Sequence, residues 1–588
     1  MISALLPLPA PVLGLASRIF AIDQVEEIYG TLRTQDDGRP FLDRLLAELE
    51  ITCTVCDRDL AHVPRSGPAV FVANHPFGIL EGAVIATVLQ RIRRDVRLLA
   101  NGILGIFPEV RDLLLSVDPM GGAERRNSVP LRRALEFLRG GGLLVVFPAG
   151  EVSHFQWSRG DVSDPEWNPA ITRMIEICAR HGVNVPVVPA YVHGGNSLLF
   201  QAAGVVHPRL RTALLARELF NKRRHRVDLR IGAAINSSKL LSIEGAVERT
   251  AYLRWRTYLL ANRQAFKPRT ALPHRAGVHR RALAPLATPV DAGQLAAEID
   301  ALPPESRLAS TGDLSAYIAP AHQIPGVLKE LGRLREKTFR AAGEGTGRSC
   351  DLDAFDKHYL HLFVWHSQRR ELVGAYRLAA TDQRLGNDGL YTASLFRYGQ
   401  SFLDRLGPAL ELGRSFVREE YQRGFAPLLL LWKGIGKYVA KNPRYRTLFG
   451  PVSISNSYQA LSRELMVSFL EKHASLRDWM GLVTERHPFC RSTRGAAFPN
   501  SGFDVDDLSE VVSDIEPTGA GIPVLLRQYL KLGGKLLGFN VDPEFSDALD
   551  GLILVDLTRT EPKLLHRYLG GPEAAAFLEY QKGQHGTL

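Results

Sequence analysis

GPAVFVANHPFGILEG, residues 67–82, sets an apolar run directly before Asn74-His75-Pro76 and a glycine-bearing turn. The run has the composition of a short buried strand bounded by Gly and Asn. Pro76 and Gly78 forbid an ordinary helix immediately afterwards, and a helix is expected to start near Glu81. The order recurs downstream. GGLLVVFPAG, VNVPVVPAYVHG and VDLRIGAAI are further short apolar runs, and SVPLRRALEFLRG and PAITRMIEICARHG between them are amphipathic. Strands alternating with helices are the signature of an α/β fold, expected here over residues 51–265.

His75 and Glu81 also raise a chemical question. A general base presents a ring nitrogen to a substrate proton, and a carboxylate on its other nitrogen fixes the tautomer and supports the imidazolium. Residues six apart share no helix face, and in extended chain they stand about 20 Å apart. The segment must therefore curl if the two are to meet.

The chain has 588 residues, too many for one ordinary core. Hydrophobic residues make up 45% and charged residues 23%, as in globular proteins. A net charge of +10 and a pI near 9.3 favour acidic partners, either anionic lipid headgroups or an acidic carrier protein. No zinc finger, RNP-type aromatic motif or basic zipper accompanies the charge, so no nucleic-acid partner is expected. The five cysteines make no disulfide framework. CTVC at 53–56 sits in ITCTVCDRDL, which reads as a strand, has no second CxxC, and is taken as structural. A reducing cytoplasmic location follows. Residues 1–50 open with an apolar stretch broken by three prolines and without a basic leader, a poor signal peptide and a poor span. It is expected to touch a membrane peripherally or to pack on its domain. FKPRTALPHRAGVHRRALAPLATPVDA, residues 266–292, reads as a linker, and 293–588 as a second domain with strands YLHLFVWHS, ELVGAYRLAAT and ALELGRSFV between helices.

Three further blocks follow His75 and Glu81. MGGAERRNSVPLRRAL puts Arg125 and Arg126 on an expected loop before a helix, suited to an anionic headgroup. VVFPAGEVS offers a glycine turn whose amides suit an oxyanion or acceptor headgroup, and VPVVPAYVHG is a buried strand with proline at its margins. This ordered set resembles the glycerolipid acyltransferases, whose blocks run His-x4-Asp, an Arg block, Phe-Pro-Glu-Gly and a Val-Pro strand. The resemblance implies that His75 is the base on the acceptor hydroxyl and Glu81 its orienting acid. It further implies that Asn74, Arg125, Arg126, Phe147, Pro148, Gly150 and Glu151 line the acceptor site. Here the spacing is His-x5-Glu, and Glu151 follows Gly150 instead of preceding it. The longer glutamate side chain and the glycine loop absorb the added residue; the shifted glutamate argues against a simple lysophosphatidate acceptor.

In the second half, GRLREKTFRAAGEGTGRSCDLDAFDKHY carries Arg335, Phe339, Asp353 and Asp356, followed by Arg377, Glu411 and Arg414. Glu411 and Arg414, three apart on a strand, are expected on opposite faces. The order and spacing resemble the acyl-homoserine-lactone synthases and the N-acyltransferases that make lyso-ornithine lipid, both of GNAT fold. The resemblance implies that Glu411 takes the amine proton, directly or through water. Asp353 and Asp356 would hold the cationic part of an amino acid. Arg335, Arg377 and Arg414 would hold its carboxylate or shape the acyl-carrier side. Phe339 and Gly424, at a helix start, complete the implied site.

The whole architecture resembles the bifunctional ornithine-lipid synthases. It implies N-acylation of an amino acid, ornithine most plausibly, by a 3-hydroxyacyl group, then O-acylation of that hydroxyl by the N-terminal domain. The donor would be acyl-acyl carrier protein, with acyl-coenzyme A as the alternative; no bound cofactor and no metal is expected. The implied location is the inner face of the cytoplasmic membrane, with RLRTALLARELFNKRRHRVDLR (209–230) docking carrier protein or anionic lipid. Two other readings stand beside it, a lysophospholipid acyltransferase with an inert or carrier-binding second domain, and a non-catalytic haemolysin-like membrane protein.

Overall fold

The computed structural model describes residues 21–34, 37–101, 107–117, 124–206, 208–263, 283–383, 389–479, 481–491 and 503–585. The apolar N-terminus and most of the expected linker lie outside these residues. The chain forms two compact units, Met1–Phe266 with Phe498–Gly519, and Lys267–Ala497 with Ala520–Leu588.

In the first unit, helices α1 (Ile22–Thr34) and α2 (Phe41–Glu48) precede strands β1 (Thr52–Thr54) and β2 (Ala69–Ala73), then helix α3 (Leu80–Gln90). β3 (Val96–Asn101), β4 (Leu114–Val117), α4 (Glu124–Arg139) and β5 (Leu143–Val146) follow. A short hairpin, β6 (His154–Gln156) and β7 (Asp161–Ser163), leads to α5 (Ala170–Arg180) and β8 (Val187–His193). Two helices, α6 (Leu198–Val206) and α7 (Pro208–Asn221), then run into β9 (Arg226–Ile231) and α8 (Ala246–Leu259). The main sheet has the order β1-β9-β8-β2-β5-β3-β4. β2 lies at its centre, parallel to β5 and β8, and every residue of it is buried. That explains its unbroken apolar run, since both faces are covered. The ITCTVCDRDL strand is shorter than expected: β1 ends at Thr54, and a short helix starts at Asp57.

The segment Phe498–Gly519 belongs to this unit, although its place in the chain suggests the second domain. Its helix, Val505–Ile515, offers Asp514, which pairs with buried Arg256 of α8 at 2.9 Å and accepts from the Ala233 amide at 2.8 Å. Arg263 donates to the Asp514 carbonyl at 2.6 Å and also pairs with buried Asp59.

The second unit is built on an eight-stranded sheet of order β10-β11-β12-β13-β15-β16-β19-β18. Its strands are β10 (Arg307–Thr311), β11 (Leu314–Pro320), β12 (Leu360–His366), β13 (Glu371–Ala380), β15 (Ala409–Val417), β16 (Thr447–Ile454), β18 (Lys535–Asp542) and β19 (Ala548–Asp556); β14 (Phe396–Tyr398) pairs with β17 (Val483–Glu485). Helices α9 (Pro325–Ala341) and α10 (Ala426–Lys441) pack against the sheet. All its pairings are antiparallel except β15 with β16. These two are paired only from Ala409–Glu411 to Thr447–Phe449, after which their facing edges part. Gly450 stands at that point, where a Cβ would lie 2.0 Å from the Leu412 carbonyl oxygen. Only glycine lets the strands come this close before they fork.

Candidate active site

In the first unit the chain leaves β2 and curls. Asn74 is buried, donating to the Val192 carbonyl at 2.9 Å and accepting from its amide at 2.7 Å. Its amide group extends the β2–β8 ladder by one side chain, so Asn74 is spent on the scaffold and does not face a substrate. The Pro76–Gly78 turn then brings Glu81, in the first turn of α3, back beneath His75. His75 Nδ1 lies 2.6 Å from Glu81 Oε1, which also accepts from the amides of Phe77 (3.1 Å) and Gly78 (2.8 Å). Gly78 has φ +102°, and a Cβ there would stand 2.6 Å from Leu215. Glu81 is fully buried, and the His75 side chain is 16% exposed. Nε2 of His75 makes no hydrogen bond to any described residue, so Nδ1 is anchored and Nε2 is the nitrogen left for a substrate. Burial disfavours the imidazolium, but the charge and contact of Glu81, with Asp164 behind it, outweigh that and raise the ring above its ordinary value.

Phe147 stacks on the His75 ring at 4.5 Å. The Gly150 amide bonds back to the Phe147 carbonyl at 3.0 Å, and Pro148 accepts from the Asn168 amide at 2.8 Å. The Gly150 amide therefore closes a turn and offers no oxyanion contact. Glu151 points out to an ion pair with Arg211 at 3.2 Å. Arg125 and Arg126 lie inside α4, not on a loop before it, because the helix starts at Glu124 and carries Pro130 in its interior. Their side chains fall outside the described residues.

Asp164 escaped the sequence reading. It is fully buried and accepts from the His75 amide (3.1 Å), Ser153 Oγ (2.5 Å) and Trp167 Nε1 (2.8 Å). It holds the His75 turn through the His75 backbone amide. The signal available was one Asp-x-x-Trp spacing, too common to stand out.

In the second unit the predicted residues do come together, but as an interior network. Arg335 donates to Asp356 at 2.7 Å, and Arg377 donates to Asp353 at 2.6 Å and lies 3.3 Å from Asp356. Asp353 and Asp356 form a reciprocal capping box on the short helix Ala354–Lys357. Arg335 and Arg377 are fully buried. Arg377 lies against the rings of Tyr359 (4.9 Å) and Tyr391 (5.1 Å). Burial would raise the Asp356 carboxyl, but Arg335 and Arg377 hold it well below the usual range. In this structure the charges of Asp353 and Asp356, expected to face a substrate cation, are met by arginine. Phe339 packs on Phe545 at 5.1 Å within the core.

Glu411 is held in a network of its own. Its carboxylate accepts from Tyr359 Oη, Thr392 Oγ1, the Thr392 amide (2.7 Å) and the Tyr391 amide (3.2 Å). Four donors thus meet this buried carboxylate. Its position fixes the Tyr391–Thr392 backbone. Arg414 reaches the same Tyr391, its guanidinium 4.8 Å from the ring, and pairs with Asp351 at 3.3 Å. The expected opposition of Glu411 and Arg414 fails because Arg414 has φ +49° where the β13–β15 register shifts, and a bulge breaks the alternation. Gly424 donates its amide to the Tyr421 carbonyl at 3.2 Å, ahead of α10, so that amide is not free for a phosphate.

Three carboxyls near the strand fork were not foreseen. Asp550 of β19 stands opposite Ser453 of β16 in register and accepts its hydroxyl at 2.6 Å. Burial, with Asp542 adding to it against Ser453 and Arg414, lifts Asp550 to about 7. Burial, then Asp550, lifts Glu344 to about 8. Asp542 is raised mainly by burial. Asp550 and Glu344 are thereby brought toward neutral pH.

Residues 12–265 match the family model for an acyltransferase, and residues 334–433 the model for an acetyltransferase (GNAT) domain. A glycine N(alpha)-acyltransferase of Bacteroides thetaiotaomicron is 33% identical over 282 residues, 44% of this chain and 83% of that protein. An L-ornithine N(alpha)-acyltransferase of Agrobacterium fabrum is 26% identical, covering 41% of this chain and 78% of that one. A lyso-glycine lipid O-acyltransferase of Phocaeicola vulgatus is 27% identical, covering 34% and 69%. The chain belongs to the GNAT-type Nα-acyltransferase family, its GNAT domain joined in one polypeptide to a second acyltransferase domain.

Proposed function

We propose that this acyltransferase builds an aminolipid in two steps. The second unit transfers a 3-hydroxyacyl group from a thioester to the α-amine of an amino acid. The first unit then acylates the 3-hydroxyl of that product. The observation that carries the reading is the His75 imidazole, backed by Glu81 through Nδ1 and open at Nε2. Nε2 takes the hydroxyl proton as the oxygen attacks the thioester carbonyl. The carbon–sulfur bond breaks, and the imidazolium returns the proton to the leaving thiolate.

The forked edges of β15 and β16 supply the corresponding support in the second unit. The strand edges beyond Glu411 and Phe449, where the mutual pairing ends, suit an extended amide-bearing arm such as the pantetheine of a carrier-bound or coenzyme A thioester, taken up like an added strand. With Glu411 fully engaged, the amine proton passes to Asp550 or Glu344, the carboxyls that titrate near neutrality. Glycine is the favoured amino acid, by the greater identity to the glycine enzyme and because Asp353 and Asp356 are neutralised internally. Ornithine is the second reading, favoured by the Glu344, Asp542 and Asp550 group, which suits a side-chain ammonium.

The test supplies purified full-length chain with a 3-hydroxyacyl thioester of acyl carrier protein, a second acyl thioester, and glycine or ornithine in separate reactions. Mass spectrometry should find the N-acyl amino acid first and its O-acyl ester second. Ester formation on a lysophospholipid, with no amide from either amino acid, would replace the reading by a single-activity enzyme.

A further inference from the structure

The α6–α7 region carries apolar surface that the core does not use. α6 reads LLFQAAGVV, with Gln201 its one polar side chain. Leu198 is 87% exposed and Val205 68%. The adjoining β6–β7 hairpin adds Trp157, 79% exposed, and Val162. The Phe155 amide donates to Gln201 Oε1 at 3.0 Å, and Phe155 meets Trp157 edge-on at 5.0 Å, so hairpin and helix form one patch. A helix apolar all round belongs in a core or against lipid.

Charge lies alongside. α6 and α7 run antiparallel: the stem of Arg211 lies against Gly204, Ser197 donates to Glu218 at 2.6 Å, and Lys222 Nζ reaches the Gly195 carbonyl at 2.7 Å. The cationic end of α7 therefore sits beside the exposed leucines that open α6. Residues 198–226 hold seven Lys or Arg (209, 211, 217, 222, 223, 224, 226) and one acid, Glu218; Glu151, Glu48 and Glu50 from other elements pair with Arg211, Arg223 and Arg224, so the region stays basic by a smaller margin. The same element packs on the catalytic turn. Asn196 Nδ2 donates to the Phe77 carbonyl at 3.1 Å, and Leu215 covers Gly78.

Resting on the reading of the first unit as a lyso-lipid O-acyltransferase, we infer that α6, α7 and the β6–β7 hairpin are its bilayer-docking surface. Trp157, Leu198 and Val205 enter the apolar layer, and the basic end of α7 meets anionic headgroups. The sequence alone leaves carrier protein and membrane as equal partners for the basic stretch. Exposed Trp, Leu and Val contiguous with it favour the bilayer, because an acidic carrier needs the charge and not the apolar surface. An acceptor held in the membrane is thereby delivered beside His75 without leaving lipid.

The test uses full-length chain and flotation with vesicles of phosphatidylethanolamine and phosphatidylglycerol, compared with phosphatidylcholine alone. The wild type should bind the anionic vesicles and be released by salt. Trp157→Ser, Leu198→Ser and Val205→Ser together should lower binding by about tenfold or more. They should leave turnover of a short-chain, water-soluble 3-hydroxyacyl amino acid within about twofold, because surface substitutions away from the machinery have small effects. Unchanged vesicle binding overturns the inference. So does loss of turnover on the water-soluble acceptor, or a loss confined to carrier-protein binding or to self-association. If the wild type binds vesicles but esterifies no acceptor, the functional reading fails and the docking surface stands alone.

Discussion

His75 sits between burial, which disfavours its cation, and two carboxylates that favour it, Glu81 in contact and Asp164 behind its backbone. A base must be neutral to accept a proton, and a raised pKa keeps it charged to higher pH. O-acyl transfer should therefore climb with pH through a midpoint above the ordinary histidine value. Glu81→Gln removes the larger favourable charge, so that midpoint should fall, with a rate loss of about a hundredfold or more. A pH–rate profile of both forms checks the sign. An unshifted midpoint would mean that the carboxylate does not support the ring. His75 and Glu81 were legible in the sequence because a Pro–Gly turn after an apolar strand forces a curl. Asp164 was not, since its partners come from distant residues that no local spacing links. The surroundings of Glu411 were not legible, because Tyr359, Tyr391 and Thr392 reach it through tertiary structure.

Elements were easier to see than the irregularities that give them function. Apolar runs announced β2, β5, β8 and β9 and the strands around α9 and α10. β3, β4 and the β6–β7 hairpin carry too little alternation or too few residues to stand out. The bulge at Arg414 inverted a facing argument that assumed a regular strand. The fork between β15 and β16 left no mark except Gly450, one glycine among 52. Gly450→Ala should cost about 1–3 kcal/mol of stability through backbone overpacking. It should also impair N-acyl transfer while sparing O-acyl transfer. Chemical denaturation with both assays on one preparation checks this, and parallel loss of the two activities would contradict it.

On the scale of the whole molecule, α/β character and two acyltransferase units were open to sequence reading, because each half brings its own strand–helix alternation. The return of Phe498–Gly519 to the first unit was hidden, since Asp514 looks like any acid near the end of an amphipathic helix. Buried Arg256 depends on it. Asp514→Ala removes the buried carboxylate partner of that guanidinium, leaving only Tyr252 and the more distant Glu510, and should destabilise the first unit by about 3–5 kcal/mol. Differential scanning calorimetry should show the loss, and an unchanged profile would mean that the segment is dispensable.

Two separate acyl transfers in one polypeptide require that each be removable without the other. Lipid extracts from a host expressing His75→Ala, analysed by mass spectrometry, test this most directly. The account predicts accumulation of the mono-acylated N-(3-hydroxyacyl) amino acid with no diacylated product, while the wild type yields the diacylated lipid. Diacylated lipid from His75→Ala at the wild-type level, or disappearance of the mono-acylated amide as well, would contradict it.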